Sequence, residues 1–438
     1  MSEIPKVAIL SAITPVDEGD KLTYKKLDSS AAKHEPLQPE RDRLFWDSEP
    51  CSLDEISKAR QLSLAYLIMT AQKQNRDFAD GASRDLWAER FTLASEELYG
   101  SPDAIEATRL LSIQFDQVLA AIENITCSDS DREDIELYIN TTKGLLVDGE
   151  LSTPDIENDK VRNALDFYLR TEFSEGFTIF SEEDYNSEYG PIEIVEIFSK
   201  AISRLAVKEP SFLDWRVEIA EGKDMLSVSG SSKKINVGEN RRSASLGELE
   251  GLFAHEVLVH ALRSVNGSKV DDQLSVGLPG YLDVEEGLGT LFEYAITGAL
   301  PEKNIDRYID IAFALGKLDG NPKTREEVLA YARSREYARI ISNGGSLTIK
   351  VKDQIESKIK THVNRIFRGT TGDDHGGVFT KDIVYHEGFS TIAKFVKDKI
   401  EQGIPPQEIF NYLLLGKFDP TDQLHIEYLE RLNETYTI

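Results

Sequence analysis

Apolar residues recur at three- and four-residue steps through Ile56, Ala59, Leu62, Ala65, Tyr66 and Met69. They follow a Ser52/Glu55 capping box and predict a helix. A second helical run carries Leu86, Trp87, Phe91, Leu93 and Leu98 and stops at Gly100. A third, with Pro102 at its first helical position, runs through Ile105, Leu110, Ile113, Phe115 and Leu119. These runs predict an N-terminal helical lobe over residues 51–150. The first fifty residues, with prolines at 5, 15, 36, 39 and 50, read as an extended arm over residues 1–50.

Residues 123–160 hold eleven acidic side chains against Arg132, Lys143 and Lys160 and read as a solvated hinge between lobes. Helices are expected near 159–172 and 192–208. The period then changes to two. Trp215–Ile219, Met225–Val228 and Lys234–Val237 predict a short antiparallel meander. Ser245 and Glu248 form another capping box, opening a helix expected to run to Val265 before Asn266-Gly267 stops it. The pattern beyond is again helical. The fold class is therefore α+β, predominantly helical, with a short antiparallel sheet ahead of a long helix and one large C-terminal domain over residues 151–438.

Composition narrows the functions open to such a chain. Fifty Lys and Arg face 77 Asp and Glu, a formal net charge of −27. So acidic a surface repels phosphate, which argues against nucleic acid and anionic membranes as partners. Cys51 and Cys127 are too few for a disulfide framework or a thiolate metal cage. The apolar run Val7–Ile13 is too weak for a secretory signal, and no stretch is long enough for a membrane span. A cytoplasmic protein is expected.

The helix from Ser245 contains His255-Glu256-Val257-Leu258-Val259-His260. Zinc hydrolases commonly place two histidines at i and i+4 with an acid between them. At i and i+5 in a regular helix the two rings would diverge by roughly 140°. A local π-bulge would return them to one face, so a shared metal makes a specific structural demand on this segment. Seven histidines place a pair at this spacing, with an acid after the first, only about 0.02 times by chance. A hydrolytic zinc site wants a third protein ligand, and the helix start near Tyr281 offers either Glu285 or Glu286.

Together with Asn266-Gly267, Gly280-Tyr281 and Glu286-Gly287-Leu288, this motif resembles the microtubule-associated tyrosine carboxypeptidase family. It also resembles that family's bacterial relatives, flavohaemoglobin expression-modulating proteins with a Gln-Glu-Gly-Leu-Ala motif. The resemblance continues through Phe367-Arg368-Gly369, Phe379-Thr380-Lys381-Asp382, Tyr385 and Gly388. Glu285 stands where the bacterial relatives have Gln, and Gly289 where they have Ala. The resemblance implies a zinc-peptidase-like catalytic domain binding one zinc ion through His255, His260 and Glu286, with Glu256 as catalytic base. It further implies a metallocarboxypeptidase that removes a C-terminal aromatic residue, tyrosine first, from peptides or proteins.

Such a reaction also needs an oxyanion donor and a cation for the terminal carboxylate. Residues 358–399 are locally basic, eight cationic side chains against five acidic. Arg368 is the first candidate for the carboxylate and Lys381 the second; Tyr385 is the candidate oxyanion donor. Residues 369–377 read as a mobile loop over the cleft, with His375 near substrate. His375 and His386 are not expected as metal ligands. By analogy with zinc peptidases, the strand Lys234–Val237 is expected to hold an extended peptide by main-chain pairing. Two alternatives stand beside this reading: a non-catalytic zinc-binding regulatory protein, and an endo- or aminopeptidase using the same zinc.

Overall fold

The computed structural model describes residues 88–436, apart from residues 90, 94, 98, 123–128, 147–158, 183–186, 224 and 368–375. The arm over 1–50 and the helix expected from Ser52 lie outside the described residues. Residues 88–99 are helical where described. There follow α1 (Ala104–Ile122), α2 (Asp129–Leu145), α3 (Asp159–Glu172), β1 (Glu188–Tyr189) and α4 (Pro191–Lys208). Next come β2 (Arg216–Ala220), β3 (Leu226–Ser229), β4 (Lys234–Gly238) and β5 (Ala244–Ser245). The long helix consists of α5 (Leu246–His255), a π-helical turn (Glu256–Ala261) and α6 (Leu262–Val270). The further helices of eight residues or more are α7 (Leu282–Thr297), α8 (Glu302–Ala314), α9 (Arg325–Ser342), α10 (Ile349–Ile366), α11 (Val384–Glu401), α12 (Pro406–Leu413) and α13 (Gln423–Tyr436). The protein is thus α+β and mostly helical. No described helix is long and apolar enough to cross a membrane.

The chain divides into two compact units, each discontinuous in sequence: residues 1–154 with 305–383, and 155–304 with 384–438. Residues 305–383 cluster with residues 1–154 rather than with residues 155–304.

In the second unit, α3 buries Val161, Leu165, Tyr168 and Leu169, a stripe at helical spacing. Helix α4 starts with Pro191, whose missing N–H would have been unbonded there anyway, and buries Ile194, Ile197, Phe198, Ala201, Ile202 and Leu205. Both helices fall where periodicity placed them. The sheet differs from the expected meander. Its order is β2-β4-β3, with β2 parallel and β3 antiparallel to β4. The central strand is the most buried one: Ile235 and Val237 of β4 are fully buried, whereas β2 keeps exposed positions at Arg216 and Ile219. At its end Gly238 has no room for a side chain, because a Cβ would stand 2.5 Å from the Lys223 carbonyl oxygen. A peptide therefore cannot add to β4, which is already paired on both sides. A short pair of β1 with β5 leads into α5.

The first unit is built on α1, α2, α8, α9 and α10. Helix α1 begins two residues later than Pro102 suggested, because the Asp103 carboxylate caps the Glu106 N–H at 2.8 Å. The acidic stretch is not a hinge throughout. Within it α2 buries Ile135, Tyr138 and Leu145 and leaves Arg132, Glu133, Glu136 and Lys143 exposed. Net charge conceals an amphipathic stripe when the apolar residues are few but correctly spaced.

Candidate metal centre

Helix α5 is started by Ser245, whose hydroxyl accepts from the Glu248 N–H. The capping box is only half made, since the Glu248 carboxylate turns to Arg242 at 2.8 Å. Two residues before His255, Phe253 is fully buried among Phe177, Phe180 and Phe198, which fixes the rotation of the helix. The turn from Glu256 to Ala261 is π-helical, and the Leu262 N–H reaches the Val257 carbonyl five residues back. The wider turn satisfies the demand made by the i, i+5 spacing: the two imidazole rings lie with centroids 5.0 Å apart. The helix does not stop at Asn266-Gly267 but runs on to Val270. Gly267 serves close approach, since a Cβ there would be 2.3 Å from the Leu274 carbonyl oxygen.

Helix α7 supplies the third group. The His255 Nε2 and His260 Nε2 stand 3.8 and 3.7 Å from Glu286 Oε2. One donor atom from each of the three residues lies within 4.8 Å of the other two, and these three are the one such grouping among the described residues. The neighbouring glycines have distinct reasons. Gly287 faces Gly388 of α11, where a Cβ would be 2.0 Å from the Gly388 carbonyl carbon. Gly289 leaves space for His255, whose Nε2 is 2.6 Å from where a Cβ would stand. The Glu-Gly-Leu-Gly sequence therefore places a carboxylate, a helix crossing and an imidazole within one turn.

Behind the rings stand two more carboxylates. His255 Nδ1 meets Glu293 Oε2 at 3.2 Å, and His260 Nδ1 meets Glu285 Oε1 at 2.9 Å. Each Nδ1 is thereby engaged by a carboxylate, while both Nε2 atoms face Glu286. Glu285 is itself held by Arg263 Nη1 and by Lys417 Nζ at 3.4 Å, while Arg263 Nη2 donates to the Phe418 carbonyl at 2.8 Å. Burial alone would raise the Glu285 carboxyl, but Lys417, Arg263 and His260 hold it far below the usual range. Burial would likewise lower His255, yet the Glu286 and Glu293 carboxylates override it and push the imidazole up to about 10. Two imidazole nitrogens and one carboxylate, each ring braced from behind, suit a divalent ion of intermediate softness.

Of the other residues singled out in the sequence, Glu256 is half-buried in the first position of the π turn. Tyr385 is half-buried on α11, one turn before Gly388. Lys381 belongs to the first unit, on a 3-10 turn with Asp382. Arg368 and His375 lie outside the described residues, and buried His386 is not part of the three-residue grouping. Sequence reasoning missed Glu293, Arg263 and Lys417, and weighed Glu285 only as a competitor of Glu286. Glu293 did leave a signal, since seven residues after Glu286 it returns to the same helix face. Lys417 left none.

A family profile described as microtubule-associated tyrosine carboxypeptidase matches residues 169–312 and 350–435, just over half of the chain. The matched stretches contain the π turn, α7 and α11. No curated protein and no solved structure matches the chain.

Proposed function

The chain belongs to the microtubule-associated tyrosine carboxypeptidase family, and we propose that it is a zinc-dependent metallocarboxypeptidase. Its substrate is a peptide or protein C terminus, from which it removes an aromatic residue, tyrosine first. The observation that carries this reading is the three-donor group of His255, His260 and Glu286, with both Nδ1 nitrogens braced by carboxylates.

His255 and His260, through Nε2, and Glu286 would hold the zinc. Bound there, the ion supplies a polarised scissile carbonyl and water acidified toward neutral pH. Glu293 and Glu285 keep each imidazole in the tautomer whose Nε2 is free to ligate. Glu256 takes a proton from the attacking water and returns it to the departing amine. The C–N bond breaks and leaves a new carboxylate on the chain and a free amino acid. The Tyr385 hydroxyl donates to the oxygen on which negative charge develops. The cysteine usage fits a cytoplasmic setting.

Metal analysis of the purified chain should find one zinc per molecule. Mass-spectrometric profiling of tyrosine-ended peptides should show loss of the last residue, abolished by chelator and by Glu256→Gln. Hydrolysis that survives Glu256→Gln, or a protein without stoichiometric zinc, overturns the reading. A zinc-loaded chain that releases no C-terminal residue would instead favour the regulatory role.

A further inference from the structure

A carboxypeptidase must recognise the free α-carboxylate of its substrate. That carbon lies one residue beyond the scissile carbonyl, about 4 Å away. Its cation therefore stands beside the metal donors rather than among them. Two arginines of the unit that contains the histidines, Arg263 and Arg241, have well-covered side chains. Arg263 is committed, both of its Nη atoms bonded to Glu285 and the Phe418 carbonyl. Arg241, on the segment between β4 and β5, is not.

The Arg241 side chain is only 12% exposed. Among the described residues its one hydrogen bond runs from Nη2 to Glu248 Oε1 at 3.4 Å, the outer limit of such a bond. Glu248 is more closely engaged by the exposed Arg242, at 2.8 Å. The buried Arg241 Nε–H has no acceptor among the described residues. One carboxylate thus faces two guanidiniums, and the better covered of them is the worse paired. Burial with so little compensation pushes Arg241 down from its ordinary range, whereas the still more deeply buried Arg335, forked on Asp310, is pushed up.

Its position fits a substrate role. Glu248 precedes His255 by seven residues on α5, two turns along nearly the same face, about 10 Å up the axis. Arg241 therefore stands alongside the face that carries His255, within electrostatic reach of Glu256 and Glu293. Resting on the carboxypeptidase reading, we propose that Arg241 docks the α-carboxylate of the substrate's C terminus. A guanidinium fork matches both carboxylate oxygens, and shielding from water strengthens the pair.

The test is binding to full-length, zinc-loaded Glu256→Gln protein. It uses a fluorescent peptide ending in free tyrosine and the same peptide with a C-terminal amide. The free acid should bind about tenfold or more tighter than the amide, as expected for a charge-assisted pair. Adding Arg241→Ala should abolish that preference while amide affinity and zinc content hold. Arg241→Lys, which keeps charge but not the fork and disturbs folding least, should restore part of it. A preference that persists in both variants overturns the role of Arg241 and leaves the carboxypeptidase reading standing. A parent protein that binds acid and amide alike overturns both.

Discussion

Glu285 and Glu293 do the same local job with different surroundings, and their substitutions should separate accordingly. Glu293 faces His255, with Arg241 and Lys303 acting on it only at a distance. Glu293→Gln should weaken zinc affinity by about 10- to 100-fold with little loss of fold, read by competition with a coloured chelator. Glu285 sits between His260, Arg263 and Lys417, and Arg263 is wholly buried. Glu285→Ala leaves two cations without their counter-charge and should destabilise the protein by about 3–5 kcal/mol in denaturant titration. At the Glu-Gly motif the sequence offered two adjacent carboxylates and no local rule for choosing between them. Neither was redundant: consecutive residues point about 100° apart, so one meets the Nε2 atoms while the other passes behind a ring.

Two helices carry the centre, and each shows why its sequence is unusual. A metal shared by the i, i+5 histidines required a widened turn, and the turn from Glu256 to Ala261 is π-helical. That inference was available because a regular helix would set the two rings roughly 140° apart. The crossing of α7 with α11 was not available in the same way. A Cβ on Gly388 would lie 1.8 Å from the Asp283 carbonyl oxygen, so no side chain fits between these backbones. Gly388→Ala should cost about 1–3 kcal/mol or more and displace Glu286, lowering both melting temperature and zinc affinity. In α2, by contrast, a methyl group on Gly144 would meet nothing within 4 Å among the described residues, and Gly144→Ala should stabilise by about 0.5–1 kcal/mol. The meander failed for a related reason. Alternation identifies strands, but which strand becomes central depends on burial against the helices.

At the scale of the whole molecule, buried carboxylates among the described residues should shape the response to acid. In the first unit Asp310 accepts a two-pronged bond from Arg335 and faces His362 Nε2 at 2.7 Å. Asp306 pairs with Arg339 at 2.8 Å, and Asp382 with Arg365 at 2.8 and 2.9 Å. Burial opposes ionisation in all three, yet the guanidiniums win and hold each carboxyl below its usual range. Depressed carboxyls contribute stability that is complete above the unfolded value near 4 and is lost as pH falls through the folded values. The melting temperature should therefore be insensitive to these groups at neutral pH and fall steeply below about pH 4. Asp310→Asn should melt lower and show a shallower acid slope, measured by calorimetry across pH. Zinc should act on a different part of the chain. Its removal should increase hydrogen exchange in residues 246–270 and 282–297, with little change in 325–366.

Helical periodicity located most helices, and the His-Glu-x-x-x-His spacing required a widened turn for two rings that do converge, because neighbours within a turn are set by backbone geometry. Glu286 was named only by the family resemblance. What lay beyond a single stretch was a matter of packing. Strand order, the membership of residues 305–383 in the first unit, the bracing of His260 by Glu285, Arg263 and Lys417, and the thin pairing of Arg241 all join residues far apart in the chain. No local rule relates such residues. Their meeting depends on which apolar faces bury each other, and the polar groups then take whatever partners that burial leaves within reach.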